Sequence, residues 1–384
     1  MSTYLWNTFC PTLFGPGACR EAGPRAKEMG VTDVMVCTEA ELMKVGVTKP
    51  VIESLKDAGL NVYIFDKCLA DAPSDTCDAG AKFVREHDIN GIVAVGGGSS
   101  LDTAKAIGII ISQNGTTIRD YYDLEEDRHE IKLITLSTTS GTGSENSKWC
   151  VIGDVETGRK RMPVYKPDLA IVDPELTYSV PKGTTAATGM DVLAHAVEGL
   201  TNRNYNPYGY VFAERAVELT MKYLPIAVND PANKEARTQM AFASNIAGLA
   251  MTALGCSIGH SFSQTFGAMN HVPHGLGCAW ALPSVMIYSA KYGRAEDIRI
   301  VAKAAGVREN PGEDAETLAG RVADVFVKMM KDLGIRSIRE SGYSLEDCLK
   351  SAPMFLDDGA FGNAPGNPGK KEIEEYIRCT YEIY

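Results

Sequence analysis

Over its first 170 or so residues the chain repeats one pattern: a short β-branched or apolar run, then a stretch whose apolar residues recur at helical spacing. The strand-like runs are residues 33–37, 61–65, 91–95, 132–136 and 169–172, with helical stretches such as 50–58 and 77–87 between them. Alternating strands and helices leave few architectures open, because each helix must return the chain to the same end of the next strand. The order therefore predicts a doubly wound, Rossmann-like α/β sheet of parallel strands. After Asp173 and Pro174 the strand signals fade, and residues 190–200, 208–223, 235–253, 315–333 and 371–384 read as helices. An all-α second domain follows, with a boundary near 181–183, so that 1–182 forms the α/β domain and 183–384 the helical one. There is no internal repeat, and the Gly/Pro-rich stretch 359–369 is short enough to be a loop.

A chain of 384 residues, 45% hydrophobic and 23% charged, has material for two cores and leaves no room for a mostly disordered polymer. Its net charge of −11, without a basic run, argues against nucleic acid or an anionic membrane as partner. The ten cysteines are spread singly, no charged and apolar leader opens the sequence, and no uncharged apolar run nears membrane length. Reduced thiols and a cytoplasmic location are expected. Of only six histidines, four (His195, His260, His271, His274) fall in the second half.

Strand 91–95 runs into Gly96, Gly97, Gly98, Ser99, Ser100, Leu101 and Asp102, and then into a helical pattern. Glycines free the backbone to take positive φ and to approach a ligand, and the N–H groups opening a helix favour a phosphate or pyrophosphate. A plain tight turn uses the same residues, and the spacing is not Gly-x-Gly-x-x-Gly. A second polar loop, Ser137 to Glu145, follows strand 132–136 in the same way. Glu39, just past strand 33–37, is placed to accept from a ribose hydroxyl and to repel a 2′-phosphate, which favours NAD over NADP; a solvated strand-end charge reads the same way.

Asp191 and His195 are four apart in a helical pattern, on one face and a turn apart, where they could grip one ion or simply hydrogen-bond. His260 and His274 are 14 residues apart. On one straight helix that separation is about 21 Å, whereas two ligands of one ion lie within about 4.4 Å of each other. A helix break is needed, and Gly267 and Pro273 supply it, with Pro273 opening a new helix at His274. One carboxylate and three imidazoles suit Fe(II), Zn(II) or Mn(II). Cys256 and Cys278, beside these residues, read as small core residues rather than ligands.

With these motifs in place, the chain resembles the iron-containing, metal-dependent alcohol dehydrogenases. The similarity is carried by Gly96 to Lys105, Thr138 to Glu145, Gly189 to His195, His260, and Pro273-His274-Gly275, and it extends from Phe14 to Pro368. It implies an N-terminal dinucleotide-binding domain, a helical domain of the architecture shared with the dehydroquinate synthases, and a cleft holding nicotinamide and metal. Metal ligation then falls on Asp191, His195, His260 and His274, with Fe2+ the implied ion. NAD(H) contacts fall on Glu39, Gly96, Gly97, Gly98, Ser99, Asp102, Thr138, Thr139, Thr142 and Ser147, and on Lys160, within a stretch that is shortened here.

Three positions depart from the family pattern: Gln264 stands where a histidine is frequent, Ala72 where an asparagine precedes Pro73, and Asn146 where an apolar residue is usual. Gln264 cannot relay a proton, which leaves His271 as the candidate catalytic imidazole, with a surface or supporting role as the alternative. The implied activity is NAD(H)-linked interconversion of a small primary alcohol and its aldehyde by a homodimer or larger homo-oligomer. Polar or basic residues (Asn146, Lys148, Arg203, Tyr205, Gln264, His271) extend this to an aldehyde with an anionic tail, such as sulfoacetaldehyde. Glycerol dehydrogenase or a dehydroquinate synthase-like lyase are alternatives within the superfamily; a non-catalytic NAD-binding assembly protein is one outside it.

Overall fold

The computed structural model describes residues 3, 4, 6, 10–125 and 129–384. Two compact units divide the chain: Asn7–Val180, and Pro181–Tyr384 together with the described residues among the first six.

Among its described residues the first unit carries eight strands: β1 (Thr12–Phe14), β2 (Asp33–Cys37), β3 (Asn61–Phe65), β4 (Gly91–Gly96), β5 (Lys132–Ser137), β6 (Ile152–Gly153), β7 (Lys160–Arg161) and β8 (Leu169–Val172). Six of them form one sheet in the order β1-β8-β5-β4-β2-β3, with every neighbouring pair parallel. Helices cover both faces, so the central strands can be apolar throughout, and β4 (Gly-Ile-Val-Ala-Val-Gly) is buried along its whole length. Alternate residues feed separate cores. Met35, Ile92, Ala94 and Leu133 pack with Leu101 and Ile107, while Val34, Val36, Val93 and Ile134 pack with Val51 and Leu55. From β2 the chain moves outward to β3, and from β4 it moves the opposite way to β5. The carboxyl ends of β2 and β4 therefore flank a topological switch point, where open α/β sheets bind ligands.

Three elements of this unit escape the sequence pattern. Strand β1 has three residues at the sheet edge, and the β6-β7 hairpin has two in each strand, all too short to show a period.

The second unit is helical. Its helices include Lys182–Thr201, Pro207–Asn229, Lys234–Leu254, Ile258–Asn270, His274–Tyr292, Ala295–Ala304, Ala315–Asp332 and Lys370–Glu382. Three start under side-chain caps that satisfy otherwise orphaned N–H groups: Asn206 accepts from Tyr208 N, Asn233 from Ala236 N, and Asp314 from Thr317 N. The Lys182–Thr201 helix begins eight residues before its apolar pattern, because its first two turns (Lys-Gly-Thr-Thr-Ala-Ala-Thr-Gly) carry no large apolar residue. Gly189 within it lies flush against Leu224, where a Cβ would come within 2.2 Å.

The break between His260 and His274 is present, but Gly267 is not its cause. Gly267 lies inside the Ile258–Asn270 helix, which stops at His271 in the left-handed conformation (φ 53°). The N–H groups of His271 and Val272 both return to the Gly267 carbonyl, a C-cap that a residue tolerant of positive φ allows. Pro273 then opens the next helix at His274 as expected. No single described helix is long and apolar enough to cross a membrane. All ten cysteines are free thiols.

Candidate metal centre and nucleotide loop

In the first unit, β4 ends at Gly96, and the helix Gly98–Ser112 starts two residues later with Gly97 as its N-cap. None of these glycines needs positive φ; Gly97 sits at φ −74°, ψ −178°. Their value is closeness. A Cβ on Gly98 would lie 2.8 Å from Thr142 Cγ2, and one on Gly96 2.4 Å from Ser100 Oγ, whereas one on Gly97 would meet only Thr139 at 3.8 Å. The space over Gly97 is thus open and flanked by the second polar loop, beside the N–H groups that open a helix.

The polar residues around this turn are tied to one another. Ser100 Oγ donates to Glu39 Oε1 (2.8 Å), Ser99 Oγ accepts from Asp71 N (3.0 Å), and Lys160 pairs with Asp71. Thr138 N donates to the Gly96 carbonyl (2.9 Å), which joins the two loops at their roots. Asp102, one of the expected cofactor residues, is buried, and its Oδ1 accepts from Ser144 Oγ (2.6 Å) and Lys105 Nζ (3.3 Å). Lys105 is fully buried and also donates to Ser144 Oγ and the Trp149 carbonyl, so Asp102 braces the loops from beneath. Ser147 is buried beside them.

In the second unit the Lys182–Thr201 helix presents Asp191 and His195 one turn apart, and the helices Ile258–Asn270 and His274–Tyr292 bring up His260 and His274. Asp191 Oδ1 lies 3.6 Å from His260 Nε2, 3.6 Å from His274 Nε2 and 3.8 Å from His195 Nδ1. Glu198, one turn after His195 and wholly buried, accepts from His260 Nδ1 (2.8 Å) and from the backbone N–H groups of Ser257 and His260. That bond holds a proton on Nδ1, so that the neutral ring would offer Nε2 as a lone pair. Ser263 Oγ does the same for His274 through Nδ1 (3.1 Å). The fit is tight: a Cβ on Gly277 would fall 2.6 Å from Ser263 Oγ, and one on Gly259 2.5 Å from Glu198 Oε1.

Asp191 Oδ1, His195 Nδ1 and His260 Nε2 are buried and have no hydrogen-bond partner. Each such atom costs about 1–3 kcal/mol if left unmet. Three of them converging on one point fit a bound cation. The electrostatics mark a place for positive charge: burial would raise the Asp191 carboxyl, but the imidazoles of His195, His274 and His260 outweigh it and hold the group well below the usual carboxylate range. Burial would likewise lower His260 and His274, but the facing thiols and carboxylates outweigh it and raise both. Burial lowers the His195 imidazole to about 4, leaving it neutral with a free lone pair. His274 keeps 39% of its side-chain surface open, which gives the cluster one accessible side.

Two sulfurs set aside in the sequence as core residues also reach the cluster. The donor atoms of Asp191, His260, His274 and Cys278 all lie within 4.8 Å of one another, as do those of His195, Cys256 and His260. Burial would raise the Cys278 thiol, but the facing imidazoles of His260 and His274 bring it below its ordinary value, whereas burial pushes Cys256 up to about 11. Glu198 and Ser263 were not singled out in the sequence; each stands three residues after a candidate ligand histidine, His195 and His260, while Cys278 stands four after His274.

His271 is exposed at its helix C-cap, and Gln264, one turn after His260, is 9% exposed with Oε1 unpartnered. Arg203 is committed to structure: Nε and Nη2 donate to the Ala364 carbonyl, and Nη2 also to Asn367 Oδ1. Lys148 stacks over the Trp149 ring (4.6 Å), and Tyr205 lies against Tyr4 and Tyr210.

Comparison with known proteins agrees with this arrangement. Residues 11–174 match the model of the iron-containing alcohol dehydrogenase family, and residues 185–381 match its C-terminal domain. The choline dehydrogenase of Bacillus subtilis is 35% identical over 98% of this chain and 96% of its own length. The NAD-dependent methanol dehydrogenase of Bacillus methanolicus is 33% identical over 97% and 99%. The sulfoacetaldehyde reductase of Bifidobacterium kashiwanohense, solved in complex with NAD+, superposes with a TM-score of 0.84 at 29% identity, covering both chains fully. With both of its units matched, this chain belongs to the iron-containing alcohol dehydrogenase family of oxidoreductases.

Proposed function

We propose that the protein is a metal-dependent alcohol dehydrogenase and aldehyde reductase that uses NAD(H). The observation that carries this reading is the convergence of three buried, unpartnered donor atoms on one point. Asp191, His195, His260 and His274 would hold a divalent ion there, which when bound supplies a Lewis acid for an alcohol or aldehyde oxygen, while NAD(H) accepts or gives the hydride. The chain's own contribution is preparation. Glu198 fixes the tautomer of His260, Ser263 fixes that of His274, and burial keeps His195 neutral.

In the first unit, Gly97 and the N–H groups opening the helix Gly98–Ser112 would receive the pyrophosphate. Glu39, held by Ser100, offers its carboxylate to a ribose hydroxyl and disfavours a 2′-phosphate. Lys160 and Ser99, joined through Asp71, border the same turn. For proton exchange with water we assign His271, the exposed imidazole next along the chain from the ligand helix. Gln264 can orient a group by hydrogen bonding but cannot titrate.

The relatives act, by name, on a cationic, a neutral and an anionic compound, so substrate charge is set within the family rather than by it. The anionic-tail reading loses Arg203 to its structural hydrogen bonds. A small neutral primary alcohol and its aldehyde is the substrate class we favour. The test is a panel of neutral, sulfonated and carboxylated aldehydes with NADH and NADPH, after loading with Fe(II), Zn(II) or Mn(II). Neutral aldehydes with NADH should give the highest kcat/KM, and His271→Gln should lower kcat severalfold. No metal-dependent NADH oxidation with any aldehyde would refute the reading.

A further inference from the structure

We propose that the Cys278 thiolate is itself a ligand of this ion, and that it biases the site toward zinc over iron. The inference rests on the metal site proposed above and concerns its donor set.

Cys278 follows His274 by four residues on the His274–Tyr292 helix, so both side chains leave the same face one turn apart. It is 1% exposed, and its Sγ lies 3.6 Å from His274 Nε2. The donor atoms of Asp191, His260 and His274 are all within 4.8 Å of that sulfur and of one another. Bonds of about 2.0–2.3 Å at tetrahedral angles put ligand atoms roughly 3.3–3.6 Å apart. The separations of Asp191 from His260, Asp191 from His274 and His274 from Cys278 are each 3.6 Å. A hydrogen bond between Cys278 and His274 would also set their 3.6 Å separation, but it would not bring the sulfur within 4.8 Å of two further buried donors, Asp191 Oδ1 and His260 Nε2, that lack any partner.

The second sulfur does not satisfy the same conditions. Cys256 groups only with His195 and His260, and His260 has one free nitrogen because Nδ1 is bonded to Glu198. One ion can therefore use that nitrogen at a time, and the set containing the carboxylate and two imidazoles includes Cys278. With His195, whose Nδ1 lies 3.8 Å from Asp191 Oδ1, five protein donors stand near an ion whose coordination reaches five only when the substrate oxygen is included, so His195 and Cys278 compete for the fourth protein position. A soft thiolate wins that position on zinc and loses it on Fe(II) or Mn(II), which favour nitrogen and oxygen. Binding the ion through sulfur releases the thiol proton to water.

The test uses the full chain, stripped of metal and loaded anaerobically with one equivalent of Co(II). Native protein should show a near-ultraviolet thiolate-to-cobalt charge-transfer band, retained in Cys256→Ser and lost in both Cys278→Ser and Cys278→Ala. Cobalt content should stay near one per chain in all four, because Asp191, His195, His260 and His274 remain. In competition between equal Zn(II) and Fe(II), Cys278→Ser should lower the bound Zn/Fe ratio at least tenfold. Stoichiometric cobalt without the band in native protein overturns the proposal while leaving the metal site standing, as does a band lost in Cys256→Ser and kept in Cys278→Ser. Native protein that binds no cobalt overturns both this proposal and the metal reading beneath it.

Discussion

The glycine turn of the first unit and the histidine cluster of the second prepare for a ligand in opposite ways. Around the turn, side chains are already satisfied: Asp102 by Lys105 and Ser144, Glu39 by Ser100, and Ser99 by the Asp71 backbone N–H. What the turn leaves open is backbone and space, above all over Gly97. In the cluster the supporting bonds, Glu198 to His260 and Ser263 to His274, serve to leave other atoms bare. A phosphate needs N–H groups that the fold orients at little extra cost, whereas a cation needs lone pairs, and burying those without the ion is unfavourable.

The contrast fixes where each change should be read. The largest expected effect is Lys105→Met, which strands the Asp102 carboxylate in the core and should cost about 3–5 kcal/mol of stability. Denaturant unfolding of the metal-free protein reads it; a loss under 1 kcal/mol would mean that the brace beneath the loops is dispensable. Next is Glu198→Gln, expected to weaken metal affinity about 10–100-fold by relaxing the His260 tautomer and ring. Chelator competition measures this, and unchanged affinity would show that the histidine needs no such partner. Gly97→Ala is the smallest. The methyl group meets nothing closer than Thr139 at 3.8 Å, so the fold should be untouched while NADH affinity drops about tenfold, or about 1.4 kcal/mol. NADH fluorescence titration decides it, and if metal affinity fell as well, the two regions would not be separable in the way described.

Much of this was legible from residue order. Five strands of the parallel sheet follow from alternating apolar runs, and each was found within one residue at its carboxyl end. The helix break before His274 follows from Pro273 and from the distance between two histidines that share an ion. Misreadings arose where local pattern and tertiary role diverge. Gly267 looked like a helix stop and is an interior residue, because the stop is made by His271 in a conformation that histidine seldom signals. That Asp102 braces the loops is not legible in the sequence, since its partners are Lys105 and Ser144, the latter 42 residues away.

The sequence by itself determined the two kinds of architecture, the order of their elements, and the residue types able to hold a nucleotide and an ion. Periodicity and turn chemistry act over a few residues and survive in one dimension. Only the tertiary structure decided which atoms converge, which of them remain unpaired, and that a sulfur four residues beyond His274 stands among the donors. Those outcomes depend on helices distant in sequence meeting at ångström separations, and a side chain's partners are set by that packing rather than by its neighbours in the chain.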